Sequence, residues 1–192
     1  MTLSRDRVLP SRVSLEACES YQKQSWRNRC LILAGDGVQR LQVPVVHDGT
    51  ALIRDIRIDY STPWVVRTRR AIDAAYYSSP FFEYYRDELY ALLEARPQRL
   101  WDLNLSLIHF FLDKTGIACD LVPTENFAAP DAVPDDWRYR LHPKRPDTVL
   151  SDLGLERPYY QVFSDRFGFT GGLSVMDLLF NEGPDAIRWL KQ

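Results

Sequence analysis

Cysteine is scarce in this sequence. Its 192 residues include three cysteines, Cys18, Cys30 and Cys119, and none of them forms a CxxC pair. This excludes a disulfide framework and a structural zinc site, and it is typical of proteins in a reducing compartment. No apolar run reaches the roughly 18 residues that a membrane-spanning helix needs, and no signal peptide is recognisable. We therefore expect a cytoplasmic protein with no membrane span.

An excess of one charge is also missing. The 24 basic and 26 acidic residues give a formal net charge of −2, which argues against nucleic acid as a partner. The three histidines lie in separate segments without HxxxH or HxH spacing, so no metal site is predicted. Glycine-rich phosphate loops and the GxSxG motif are absent too. The sequence therefore indicates no cofactor and does not identify a reaction.

Aromatic residues, in contrast, are plentiful. The chain has 10 Tyr, 9 Phe and 5 Trp, and 45% of its residues are hydrophobic. This composition is typical of a folded globular domain, and the length suits one domain of ordinary size. We expect a single domain over residues 1–192.

The hydrophobic pattern predicts strands first and helices afterwards. Alternation over 13–17 predicts a strand, and a hairpin joins 30–34 to 41–46 around Gly35-Asp36-Gly37. A further strand is predicted at 52–58. Residues 62–114 have helical periodicity, with a third helix at about 99–114.

The remaining segments complete the predicted fold. A buried strand is expected at 118–122, and six of the 12 prolines lie in 123–158, which we interpret as a proline-rich loop or arm. Residues 174–191 are predicted to be helical, with a break at Gly183-Pro184 and with Ser174 and Asp177 matching a capping box. The predicted fold class is α/β, with a mixed sheet covered by helices; α+β is the alternative.

The densest polar cluster lies at 16–29. It contains two carboxylates, a lysine, two arginines and an amide, which together could bind an anion and move a proton. The alternative is a solvated loop with ordinary ion pairs. Two aromatic residues, Tyr21 and Trp26, lie in the same segment. Cys18 lies between Glu16 and Glu19, which favours a small, partly buried side chain over a nucleophile.

Two other features left alternatives open. Asn104 lies inside an apolar helical stripe, so its amide either holds backbone or faces a pocket. The basic segment from His142 to Arg145 either closes over a phosphorylated ligand or packs as a surface arm.

Several strings in this order resemble the WbqC-like protein family, in the short form found in Bacteroidetes. The matching segments are ESYQKQSWRNR (19–29), VPV (43–45), IDYSTPW (58–64), SPFFEYY (79–85), HPK (142–144) and LSVMDLLFNEGP (173–184).

The resemblance implies a cytoplasmic step in making or decorating a bacterial surface polysaccharide. The expected substrate is anionic, a nucleotide-linked sugar, and the expected reaction is group transfer, for example to a nucleotide-linked amino sugar. Glu16 or Glu19 would accept a proton, cations would hold phosphate, and an aromatic ring would stack on the ligand. The expected substrate-binding residues are Tyr21, Lys23, Trp26, Arg27, Asn28, Arg29 and Lys144.

Two departures from the family pattern support an alternative. Thr68 stands where the resemblance implies a histidine, and only Val8-Leu9-Pro10 matches the expected amino-terminal segment. The alternative is a non-catalytic binding or scaffold protein that docks on a partner enzyme. A homo-oligomer is compatible with either function.

Overall fold

The computed structural model describes residues 11–49, 52–133, 135–143, 149–152, 154 and 156–190. Two features singled out in the sequence, Val8-Leu9-Pro10 and Lys144, lie outside the described residues.

Four strands form two separate pairs within the described part of the chain. The first, β1 (Arg12–Leu15), runs parallel to β4 (Asp120–Pro123). The strands β2 (Arg29–Ala34) and β3 (Gly37–Gln42) form an antiparallel hairpin. The α/β class is therefore confirmed, with parallel and antiparallel pairing both present. The pairs lie in two small sheets, because no strand joins β1 and β4 to the hairpin in these ranges.

The β2–β3 hairpin confirms the prediction made from its glycines. Ala34 faces Gly37 across the turn, so Gly35 and Asp36 form a two-residue loop. Gly37 has a φ of +118°, which residues with a Cβ rarely adopt. The second strand ends at Gln42, four residues before the predicted end.

Helices form the larger part of the fold. The three predicted in 62–114 are confirmed, and α3 matches its predicted bounds to within one residue. No helix in the described ranges is long and apolar enough to cross a membrane. The α-helices are α1 (Trp64–Tyr76), α2 (Phe82–Glu94), α3 (Leu100–Lys114), α4 (Val149–Asp152), α5 (Ser164–Phe167), α6 (Val175–Glu182) and α7 (Ala186–Leu190); short 3₁₀ helices span Trp26–Asn28, Ile53–Asp55, Pro130–Ala132 and Gly183–Asp185.

The core lies where the hairpin meets the helices. The inner face of the hairpin contributes Ile32 and Leu41, which pack with apolar residues of α1, α2, α3 and α6. Burial of this surface supplies the main favourable free energy of folding. The large apolar and aromatic helical residues that are less than 2% exposed are Ile72, Tyr76, Phe82, Leu89, Leu100, Leu103, Leu179 and Phe180.

The strand predicted at 52–58 is wrong. A 3₁₀ helix, Ile53–Asp55, occupies its middle, and the segment makes only single β-bridges. These bridges connect Leu52 to Ser20, Ile58 to Val45, and Arg57 to Arg99. The alternating pattern arises because the segment contacts three different neighbours instead of one strand.

Two further predictions need correction. The strand near 118–122 exists as β4, but it is not buried: Asp120 and Pro123 are exposed. The capping box at the start of α6 is half right. The Ser174 hydroxyl accepts from the Met176 N–H, whereas the Asp177 side chain turns into the core.

Asp177 is the centre of a buried polar network. Its side chain is 1% exposed and accepts hydrogen bonds from Tyr76 Oη (3.0 Å), Tyr159 Oη (2.8 Å) and Gln161 Nε2 (2.9 Å). Burial raises the pKa of Asp177, and the three donors oppose that rise. Because its donors come from α1 and from the segment before α5, Asp177 ties α6 to both.

Candidate functional site

The segment from Ser25 to Arg29 is held rigidly against the hairpin. Ser25 caps the 3₁₀ turn by accepting from the Arg27 N–H (3.4 Å), and its hydroxyl donates to the Gln22 carbonyl (2.7 Å). Asn28 is 5% exposed and forms two hydrogen bonds with the backbone of Val43. Its side-chain Nδ2 donates to the Val43 carbonyl (2.8 Å), and its backbone carbonyl accepts from the Val43 N–H (2.9 Å). The backbone of this segment is thus a fixed platform.

Two neighbouring cavities meet at this platform. The first, of about 380 Å³, we call the polar cavity, and the second, of about 160 Å³, the apolar cavity. Asn28, Arg29 and Gln42 line both. The polar cavity is further lined by Tyr21, Lys23, Gln24, Pro44, Val45 and His47. The apolar cavity lies between the hairpin and α1–α3, and Trp26, Arg27, Trp64, Thr68, Leu93, Asn104 and Phe111 are among its walls.

The polar cavity is positively charged. Lys23 and Arg29 line it together with His47, and no carboxylate is among its described lining residues. Burial raises the pKa of the Tyr21 phenol, while the charges of Arg29 and Arg27 oppose that rise. Arg29 forms no ion pair within the described part of the chain, so its charge is available to an anionic ligand.

Arg27 is fixed at both ends. Glu19 Oε1 accepts from its Nε (2.6 Å) and its Nη2 (2.5 Å), and Asn104 Nδ2 donates to its carbonyl (2.8 Å). Glu19 is only 6% exposed and does not line either cavity. The structure therefore places Glu19 behind Arg27, where it positions the guanidinium. Asn104 both holds backbone and lines the apolar cavity, so its two alternatives are both realised.

Glu16 lies apart from both cavities. Its carboxylate accepts from the Cys18 N–H (2.8 Å), the Thr124 hydroxyl (2.7 Å) and the Ala128 N–H (3.0 Å), and it pairs with Arg138 (3.2 Å). Burial acts to raise the pKa of Glu16, but these hydrogen bonds and the Arg138 charge outweigh it and lower that pKa. Glu16 thus anchors the segment after β4 onto β1.

Three buried polar atoms in the walls of the apolar cavity lack hydrogen-bond partners in the described structure. They are Asn28 Oδ1, Arg29 Nε and Trp64 Nε1. Each unpaired buried polar group costs about 1–3 kcal/mol. Such groups need partners from a ligand or an ordered water, and three of them in one wall make this cavity a candidate binding site.

Thiol and metal chemistry find little support at these cavities. Cys30 lines the apolar cavity, but burial raises its pKa to about 11, so the thiol is neutral near pH 7. Among the described residues, no three His, Cys, Asp or Glu side chains converge as metal ligands.

The structure brings most of the predicted binding residues together. Tyr21, Lys23, Asn28 and Arg29 line the polar cavity, and Trp26 and Arg27 join the apolar one. Glu16 and Glu19 line neither. Gln24, Gln42 and His47 also line the cavities and were not among the predicted site residues. Trp64 lines the apolar cavity and lies inside the matching string IDYSTPW.

Together these features define an α/β protein with a cation-lined cavity that opens beside a small apolar one. Comparison with known proteins then identifies its family. The WbqC-like protein family matches residues 12–142, and the chain belongs to this family. It is also similar to "Uncharacterized protein Rv1507c" of Mycobacterium tuberculosis, with 27% identity over 90% of this chain and 85% of the relative. No solved structure matches.

Proposed function

We propose that the chain is a cytoplasmic enzyme of bacterial cell-surface polysaccharide biosynthesis that transfers a group to or from an anionic, nucleotide-linked sugar. The observation that carries the proposal is the cation-lined polar cavity, which is joined to the apolar cavity by Arg29. Membership of the WbqC-like family supports it, because the family takes its name from a polysaccharide gene cluster.

The two cavities suit different parts of such a substrate. Phosphate oxygens would lie beside Lys23 and Arg29, and Tyr21 offers a half-buried ring for stacking. The sugar would reach past Asn28 towards the apolar cavity. Of the two proton acceptors expected from the sequence, Glu16 is occupied by the arm and Glu19 by Arg27. We therefore assign proton transfer to His47, whose imidazole lines the polar cavity and can act as an acid or a base.

Replacing Arg29 by methionine is expected to weaken nucleotide-sugar binding by about 10- to 100-fold, because a charge-assisted hydrogen bond contributes about 1.5–3 kcal/mol. Isothermal titration with UDP-glucose measures the change. Arg40→Met is the matched control: it removes the same charge from an exposed position on the same hairpin, outside both cavities. The proposal would be contradicted by equal losses of nucleotide-sugar affinity in the two variants. It would also be contradicted if millimolar nucleotide sugars left the melting temperature of the wild type unchanged.

A specific observation favours the second candidate, a non-catalytic binding protein. Thr68 faces the apolar cavity at the position where the family resemblance implies a histidine. Threonine cannot exchange a proton near pH 7, so catalysis at this position would be lost while binding remained.

Replacing Thr68 by histidine separates the two candidates. If the protein is an enzyme, the wild type is expected to consume the nucleotide sugar. Thr68→His is then expected to speed that reaction at least about tenfold, since a positioned general base contributes about 10²–10⁴-fold. Mass spectrometry follows the reaction, with a bacterial small-molecule extract as the acceptor source. Thr62→His, at an exposed position before α1, is the control. Binding without turnover in every variant would favour the non-catalytic protein.

A further inference from the structure

We infer that the apolar cavity recognises a secondary amide, in the form of an acylamino substituent on the sugar of the ligand. This inference rests on the proposed function, since it specifies which nucleotide sugars the site prefers. It is carried by two side chains in the cavity wall, Asn28 and Trp64, which are 5% and 4% exposed and each keep one polar atom without a partner.

The two unpaired atoms are an acceptor and a donor. The orientation of the Asn28 amide is fixed because its Nδ2 donates to the Val43 carbonyl (2.8 Å), so the unpaired Oδ1 can only accept. The indole Nε1 of Trp64 can only donate. A group that satisfies both must therefore present a donor to Asn28 and an acceptor to Trp64.

A secondary amide meets this requirement from one substituent. Its N–H and C=O point to opposite sides of a planar group, and here the two partners lie on different elements, the 3₁₀ segment and α1. A carboxylate would fail because it has no proton to give Asn28 Oδ1. An ordered water would also satisfy these atoms, but it would give no preference between ligands with and without an acylamino group, which the titration below measures.

The remaining wall fits the carbon end of an acyl group. Leu89, Leu93, Leu107 and Phe111 line the cavity, whose volume of about 160 Å³ admits a small acyl chain. A hydroxyl could also donate and accept, but it would leave these apolar walls without contact. Both unpaired atoms are closed off from water, so the amide reaches them only when lining side chains move aside.

Titration of the full-length chain with two matched ligands tests the inference. UDP-N-acetylglucosamine and UDP-glucose share the nucleotide, the diphosphate and the hexose, and they differ in the acylamino group. We expect the acetamido ligand to bind at least about tenfold more tightly. The difference comes from the hydrogen bonds of its amide and from contact of its methyl group with the apolar wall.

Trp64→Phe removes the donor while it keeps most of the ring. In this variant we expect the preference for the acetamido ligand over UDP-glucose to fall to about threefold or less. Trp101→Phe is the control, because Trp101 packs against the core from α3 without lining the cavity. Denaturant unfolding of each variant verifies that the comparison is made on folded protein.

The outcomes separate this inference from the proposal beneath it. Equal affinity for the two ligands, or an acetamido preference that Trp64→Phe leaves intact, would overturn the amide assignment and leave nucleotide-sugar binding standing. Failure of both ligands to bind would overturn the proposed function itself.

Discussion

Gly183→Ala is expected to lower the free energy of unfolding by about 3–4 kcal/mol. Gly183 ends α6 with a φ of +57°, and a Cβ at this position would lie 2.5 Å from two ring carbons of Phe81. Phe81 cannot retreat freely, because its N–H donates to the Phe180 carbonyl (3.0 Å). Denaturant titration measures the loss, which corresponds to roughly 10 °C in melting temperature.

Gly116→Ala provides the matched control. Gly116 follows α3 with a φ of +69°, but nothing lies within 4 Å of the site of its Cβ. This control carries the backbone strain alone, about 1–2 kcal/mol, so the difference between the variants isolates the clash with Phe81. Equal losses at both positions would show that Phe81 moves aside and that the close approach has no energetic consequence.

Asp177→Ala is expected to destabilise the fold by about 4 kcal/mol, since it leaves the donors of Tyr76, Tyr159 and Gln161 buried without an acceptor. Asp177→Asn keeps the volume and one acceptor oxygen, so we expect it to lose less. Denaturant unfolding at pH 7 compares the two. An alanine variant as stable as the asparagine one would show that the network is dispensable.

The same carboxyl group predicts a pH dependence. Burial raises the pKa of Asp177 above its ordinary value, so the folded chain holds this proton more tightly than the unfolded chain does. Its contribution to stability is complete below the ordinary aspartate pKa of about 4 and is lost as the pH rises through the raised value. The free energy of unfolding of the wild type, compared with that of Asp177→Asn, should therefore increase as the pH falls from about 7 to about 4.5. A pH-independent difference would contradict this sign.

Local signals in the sequence were sufficient for the elements that depend on near neighbours. The apolar spacing of Leu100, Leu103 and Leu107 located α3, and the glycines around Asp36 located the hairpin turn. The strand prediction for 52–58 failed because this segment forms single β-bridges to Ser20, Val45 and Arg99, which lie in three different parts of the chain. The pattern of these seven residues does not show whether their pairing partners lie on one strand or on several segments.

The candidate site was predictable to a similar degree. Aromatic and basic residues clustered at 19–29 identified the platform, because such side chains are unusual together on a solvated loop. The fate of Glu16 could not be foreseen, since Thr124, Ala128 and Arg138, which occupy its carboxylate, lie more than 100 residues away. Likewise, Trp64 and Thr68 meet the platform only once α1 packs against the hairpin.

The parallel pairing of β1 with β4 also has a consequence for the order of folding. Arg12 faces Asp120, so this contact closes a loop that contains the hairpin and the three long helices. Closing so long a loop is entropically unfavourable until the intervening chain is compact, and contacts of high sequence separation form late. During synthesis, the hairpin and α1–α3 can therefore assemble first, while β1 stays unpaired. Glu16 pairs with Arg138 only after the ribosome has released that residue, so this ion pair forms after the hairpin and α1–α3 have been synthesised.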